Sequence, residues 1–254
     1  MSLRGIAGKV KDFFFGKVVY SNGASSTSTI RILQKRNERI LMFNGITFSR
    51  VVSGSIYTGG YWDYMLPLPS LYWDPHILLI GLGGGTTPFQ LRSIYGKEIS
   101  IDVVENDSEI IKASEAFIGK AIDFMLIKDN GESYVQSSRS KYSIILLDAY
   151  VNDNIPDVFF GEHFIADAHA ALKDDGIMAI NYILNAKGIR MLDAYVNILS
   201  KYFKVCITGS PMHSGNRLII CSKTFTIEMM ASIASARFAG NKNMLAILKE
   251  YHCA

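Results

Sequence analysis

Cysteine is scarce in this chain. The three residues, Cys206, Cys221 and Cys253, are scattered and have no Cys-x-x-Cys spacing. That argues against a disulfide-built scaffold and fits a reducing, cytoplasmic compartment. Histidine is nearly as sparse, with five residues, no His-Glu-x-x-His motif and no Cys/His cluster, so no metal site is expected. A Gly-x-Ser-x-Gly nucleophile elbow is also missing. Charge of one sign is not in excess: 26 basic and 23 acidic residues give a net +3. That is too small a bias to argue for nucleic acid or an anionic membrane as partner. No apolar run is long enough for a membrane-spanning helix. Met1 to Tyr20 carries lysines and a Phe13-Phe14-Phe15 run, but lacks the apolar stretch of roughly 7–15 residues that a secretory signal needs.

What remains is a globular composition. Of 254 residues, 49% are hydrophobic and 19% charged, and the mean hydropathy is +0.17. The mild apolar excess suits a buried parallel sheet or a subunit interface, and a homodimer is expected.

The pattern of the chain changes at about Pro75. Before it, Thr29 to Leu33, Ile40 to Phe43 and Ile46 to Val52 read as short strands separated by polar turns, with Asn44-Gly45 a turn signal. Tyr61 to Leu71 is expected to be helical and to end early at Pro67 and Pro69. After Pro75, apolar strands alternate with helical segments. The strands are Ile77 to Ile80, Ile99 to Val104, Asp123 to Ile127, Ser143 to Leu147 and Ile177 to Ile180. Helices are expected at Pro88 to Tyr95, Ser108 to Phe117 and Phe160 to Lys173. This alternation predicts a parallel sheet covered on both faces. Val205 to Thr208 and Arg217 to Ser222 read as a closing hairpin, and Thr226 to Tyr251 as a helix broken near Gly240. The expected division is a small N-terminal β unit over residues 1–60 and an α/β domain over 61–254.

The strongest chemical signal is Ile80-Gly81-Leu82-Gly83-Gly84-Gly85-Thr86-Thr87, directly after the first strand of that domain. Glycines there let the backbone approach a ligand and turn sharply into a helix. Glu105 ends the next strand, 20 residues beyond Gly85, the spacing at which a carboxylate accepts from ribose hydroxyls. A dinucleotide fingerprint needs glycine at its sixth position, which is Thr86 here, so NAD is disfavoured. No Gly-Lys-Ser/Thr follows, which excludes a triphosphate-binding loop. Asp129-Asn130-Gly131 follows the third strand, either as a plain turn or as a base contact. Asp148 ends the apolar strand Ile144 to Leu147, at the rim where open α/β sheets bind ligands.

Glycine at the first, third and fifth loop positions (Gly81, Gly83, Gly85) is similar to the S-adenosylmethionine site of class I methyltransferase folds. More broadly, Asn44-Gly45-Ile46-Thr47, Tyr61-Trp62-Asp63, the glycine loop, Val104-Glu105-Asn106-Asp107, Asp129-Asn130 and Leu147-Asp148-Ala149-Tyr150 running to Ile155-Pro156 resemble the spermidine synthases and their methyltransferase-like relatives. The resemblance implies a Rossmann-like class I methyltransferase fold with a C-terminal β-hairpin in the sheet, preceded by a small N-terminal β unit. It implies S-adenosylmethionine, or its decarboxylated form, as co-substrate, and a small acceptor such as an amine. Gly81, Gly83, Gly85, Glu105, Asp129, Asn130 and Gln34 would contact the donor. Asp148 would act as base and Tyr61 would orient the acceptor or the base. Trp62 and Tyr150 would form an aromatic wall favourable to a cation.

Two acids of the polyamine aminopropyltransferases are missing. Gly84 stands where they carry an aspartate in the glycine loop, and Val151 where they carry the second aspartate after the fourth strand. Asp153 and Asp157 lie near enough in sequence to substitute. The missing acids favour methyl transfer over aminopropyl transfer. A nucleoside-binding protein without catalysis is a further alternative, against which the retained Asp148 argues.

Overall fold

The computed structural model describes residues 16–22, 28–119, 123–139, 141–151, 154–208 and 215–253. Asp153, one of the two substitute acids, lies outside them.

A four-stranded antiparallel sheet comes first: β1 (Lys17–Ser21), β2 (Ile30–Lys35), β3 (Glu38–Phe43) and β4 (Ile46–Val52), in sequential order. Asn44 and Gly45 take positive φ (49° and 86°) and make the tight β3–β4 turn. One face of this sheet, through Ile30, Ile32 and Leu41, packs on Ile110, Ala113 and Phe117 of a helix in the second layer. The sequence did not mark β1, whose Val18 and Val19 are half exposed and show no core-facing pattern.

The segment from Tyr61 to Leu71 is not one helix. It forms two short 3-10 turns, Tyr61–Met65 and Leu68–Leu71. Pro67 cannot donate to a helical ladder, so the run breaks at Leu66–Pro67, and Pro69 sits in the first turn of the second segment, where no donor is needed.

The main sheet has seven strands: β5 (His76–Ile80), β6 (Ser100–Glu105), β7 (Met125–Lys128), β8 (Tyr142–Leu147), β9 (Leu172–Ile183), β10 (Lys204–Ile207) and β11 (Asn216–Ser222). Their spatial order is β10-β11-β9-β8-β5-β6-β7. The five strands from β5 to β9 run parallel to one another, and β11 is antiparallel to both β9 and β10. Helices α1 (Thr86–Tyr95), α2 (Ser108–Ile118), α3 (Gly131–Ser137), α4 (Glu162–Ala171) and α5 (Ala186–Leu199) make the connections. The C-terminal helix does divide at Gly240, into α6 (Ile227–Arg237) and α7 (Lys242–Leu248). In β5, Ile77 and Leu79 join the core formed with Leu91 of α1 and Met230 of α6. Leu78 and Ile80 join the opposite core with Phe164 of α4 and Leu199 of α5. A strand buried on both faces must be apolar throughout, which is why β5 and β8 read as unbroken runs.

Cys206 of β10 and Cys253 form a disulfide, with Cα atoms 5.2 Å apart, and Thr208 bridges to Cys253 beside it. The cysteine count gave no hint of this bond, because the chain end returns to β10 from 47 residues away. The bond removes cysteine scarcity as an argument for a reducing compartment. Among the described residues, no helix is long and apolar enough to cross a membrane.

Candidate active site

The chain runs outward from β5 through β6 to β7, then returns to place β8 on the other side of β5. This reversal opens a crevice at the carboxyl ends of β5 and β8, where open α/β sheets take ligands. The first residue after each strand faces the other. Gly81 and Asp148 are the pair: Asp148 N–H donates to the Ile80 carbonyl at 2.9 Å, and a Cβ on Gly81 would lie 2.4 Å from the Asp148 carbonyl oxygen. Gly81, Gly83 and Gly85 all have positive φ (96°, 53° and 86°), so the loop's path needs glycine at these positions.

A cavity of about 770 Å3 occupies this crevice. The N-terminal sheet roofs it with Phe43, Ile46, Thr47, Phe48 and Arg50. Of the expected site residues, Tyr61, Gly81, Gly83, Glu105, Asp129, Asn130 and Asp148 line it, as do Trp62 and Tyr150. Gly85 does not line it but starts α1 as its N-cap. Gln34 does not reach the cavity. Its carboxamide donates to the Arg36 and Glu38 carbonyls and accepts from Arg39 Nε, stitching the β2–β3 turn. The resemblance placed it near the donor; here the hairpin itself uses the side chain.

Glu105 accepts from Leu82 N–H (3.0 Å) and Asp107 N–H (2.9 Å), which ties the glycine loop to the end of β6. Burial raises its pKa, and those backbone donors oppose the rise. Asn130 caps α3 by accepting from Glu132 and Ser133 N–H. Gly131 lies so close to β5 that a Cβ would meet Ile80 Cγ2 at 2.4 Å. The turn reading of Asp129-Asn130-Gly131 is thus realised, and its two polar residues still face the cavity.

Asp148 is the carboxylate at the rim. Asn181 Nδ2 donates to its Oδ1 at 2.7 Å, and Tyr61 Oη lies 3.5 Å from its Oδ2. Burial pushes its pKa up to about 7, against the pull of the Asn181 and Tyr61 hydrogen bonds. Burial also raises the Tyr61 and Tyr150 phenols well above their ordinary value, with Asp148 the next cause in each. Both phenols are therefore neutral donors at physiological pH. Asn216 of β11 donates to Asn181 Oδ1 at 2.7 Å, and Tyr150 Oη donates to the Asn181 carbonyl. Sequence reasoning missed Asn181 and Asn216. The available signal was a carboxamide closing the otherwise apolar run of β9, one strand over from Asp148.

The other acids have different work. Asp63 accepts from Thr58 N–H, Thr58 Oγ1, Gly59 N–H and Gln90 Nε2, and holds the turn that delivers Tyr61. Asp157 pairs with Lys187 on the surface and does not line the cavity, so it does not stand in for a missing acid. At position 84 the space is filled: a Cβ would meet Ser49 Cβ and Phe117 Cδ1 at 2.7 Å, and Ser49 Oγ already accepts from Gly84 N–H at 2.6 Å.

Strand order and the glycine loop together define an α/β domain with the class I methyltransferase fold. Within that class, residues 66–231 match the spermine/spermidine synthase domain, and the chain belongs to this family. It is 28% identical over 174 residues to a polyamine aminopropyltransferase of Vibrio vulnificus, covering 65% of this chain and 57% of that one. It is 27% identical over 167 residues to a probable polyamine aminopropyl transferase of Bifidobacterium longum, covering 63% and 37%. An N-terminal histidine N-methyltransferase of Emericella nidulans is 36% identical over 110 residues, covering 41% and 19%. The match therefore spans less than two thirds of each of these relatives. Solved structures share the fold. A probable spermidine synthase from Corynebacterium glutamicum superposes with TM-score 0.71 at 18% identity, covering 89% of this chain and 88% of that one. Human methyltransferase-like protein 13, in complex with SAH, gives TM-score 0.56 at 17% identity, covering 75% and 89%.

Proposed function

We propose that this chain is a transferase that moves an alkyl group from an adenosyl sulfonium donor to an amine, with Asp148 as the base. The observation that carries the reading is a half-buried carboxylate, poised near neutral pH, in the lining of a cavity bounded by a glycine loop and Glu105. The fit is supported by the cavity itself. It is large enough for a nucleoside, its loop has no side chain in the way at Gly81 and Gly83, and Glu105 presents a carboxylate suited to ribose hydroxyls. The donor supplies an activated carbon, whose bond to sulfur breaks as the amine lone pair forms the new bond, leaving a neutral thioether.

The rest falls to the protein. An alkylamine with a pKa near 10 arrives protonated and is not nucleophilic until that proton leaves. Asp148 binds the ammonium and accepts the proton, and a base poised near pH 7 is matched to this task. Asn181 fixes the carboxylate's orientation through Oδ1 and leaves Oδ2, near Tyr61, toward the acceptor. The aromatic faces of Trp62 and Tyr150 favour a cation and exclude water.

The names of the bacterial relatives support aminopropyl transfer from the decarboxylated donor. Methyl transfer from the intact donor is a second reading, favoured by one observation: the two positions expected to be acidic for a polyamine, 84 and 151, hold glycine and valine. Calorimetric titration with each donor separates them. Tighter binding of the decarboxylated form means aminopropyl transfer, and tighter binding of the intact form means methyl transfer. No binding of either removes the adenosyl reading.

A further inference from the structure

Arg50 lines the cavity together with Gly59, Gly60, Tyr61 and Gly83. Its backbone is anchored to the start of α1, where Thr86 Oγ1 accepts from Arg50 N–H (3.1 Å) and donates to the Arg50 carbonyl (3.0 Å). The side chain has no such anchor. Its Nε is buried out of a ligand's reach, and among the described residues no ion pair involves its guanidinium, which leaves the terminal Nη groups for a ligand. Guanidinium N–H groups take a carboxylate through charge-assisted hydrogen bonds.

No acid of the cavity serves it. Glu105 is held by Leu82 and Asp107 N–H, Asp107 caps α2, Asp129 accepts from Asn130 N–H, and Asp148 is held by Asn181. The glycine loop beside Arg50 offers no carboxylate, since its one side chain between residues 81 and 85 is Leu82. The cavity thus presents a cation beside the loop with its counter-charge left to the ligand. A polycationic amine alone does not supply one.

We infer that Arg50 binds a carboxylate of the bound substrate pair, and that this carboxylate is the amino-acid end of an intact S-adenosylmethionine donor. The inference rests on the adenosyl reading above and selects methyl transfer within it. Arg50 is then the residue that discriminates the intact donor from the decarboxylated one.

The test is calorimetric titration of the wild type, Arg50→Met and Arg50→Lys with S-adenosylhomocysteine and with 5′-methylthioadenosine, which lacks the amino-acid end. Thermal melts check that each variant is folded. The wild type should bind S-adenosylhomocysteine more tightly than methylthioadenosine. Arg50→Met should weaken S-adenosylhomocysteine by about 10- to 100-fold, the worth of a charge-assisted hydrogen bond, and leave methylthioadenosine unchanged. Arg50→Lys should recover part of the loss. Equal weakening of both ligands, or no weakening of either, overturns the assignment. So does unchanged S-adenosylhomocysteine binding alongside a lost response to carboxylate-bearing acceptors, which would give the carboxylate to the acceptor. If the wild type binds neither ligand, the adenosyl reading fails and takes the Arg50 assignment with it. Failure of Arg50 alone leaves wild-type methylthioadenosine binding intact.

Discussion

Asn181 on β9 donates to Asp148 at the end of β8 across 2.7 Å, and is itself held by Asn216 on β11 at the same distance. Three adjacent strands thereby fix one carboxylate. The arrangement sets both where Asp148 points and how readily it ionises. A hydrogen bond to the charged form opposes the burial that raises the pKa.

Removing that donor should move the titration. Asn181→Ala is expected to raise the Asp148 pKa further, shifting the acid limb of the pH–rate profile upward by roughly 1–2 units. Asn216→Ala should shift it less, because it acts only through Asn181. Rates measured from pH 5 to 9 for the three proteins check this. A profile that falls in amplitude without moving would mean that Asn181 has a structural role only.

Asp148 also makes stability depend on pH. Its folded pKa of about 7 lies above the unfolded value of about 3.9. Below pH 4 both states hold the proton and the group contributes nothing unfavourable. Between pH 4 and 7 the unfolded state has lost its proton while the folded state retains it, so stability falls as pH rises. Above pH 7 the loss is complete. Asp148→Asn removes the titration and should raise the melting temperature at pH 8 while leaving it near the wild-type value at pH 4, at about 2–4 °C per kcal/mol recovered. An equal change at both pH values would contradict the elevated pKa.

Gly81 and Gly45 make a matched comparison. Both have positive φ, 96° and 86°, but a Cβ at Gly45 meets nothing within 4 Å while one at Gly81 meets the Asp148 backbone at 2.4 Å. Gly45→Ala should cost only the backbone strain, of order 1 kcal/mol. Gly81→Ala should cost more and also abolish adenosyl-ligand binding, because the loop and the β8 rim must separate. Melting curves and titrations on the two variants read both effects. Similar costs at the two sites would mean that the loop relaxes freely.

Much of this was legible in the sequence. The unbroken apolar runs of β5 and β8 announced a doubly covered parallel sheet, and the glycine loop, Glu105 and Asp148 each close a strand, where periodicity is easiest to read. What escaped depends on long-range pairing. Asn181 and Asn216 matter only because β9 and β11 lie in order beyond β8. Arg50 matters because the N-terminal sheet folds over the glycine loop, and Cys253 because the chain end returns to β10. Gln34, expected at the donor from the family resemblance, instead serves the adjacent turn with its carboxamide. Helix α5 went unread although Leu192, Tyr195 and Leu199 recur three and four residues apart on its core-facing side.

In the proposed reaction Asp148 removes a proton from an amine during alkyl transfer. The most direct test of this step is mass spectrometry of an amine panel incubated with each adenosyl donor and either the wild type or Asp148→Asn, with calorimetry to confirm that both proteins bind the donor. The wild type should yield an alkylated amine, formed about 100- to 10,000-fold more slowly by Asp148→Asn with donor affinity little changed. Undiminished product from Asp148→Asn would contradict it.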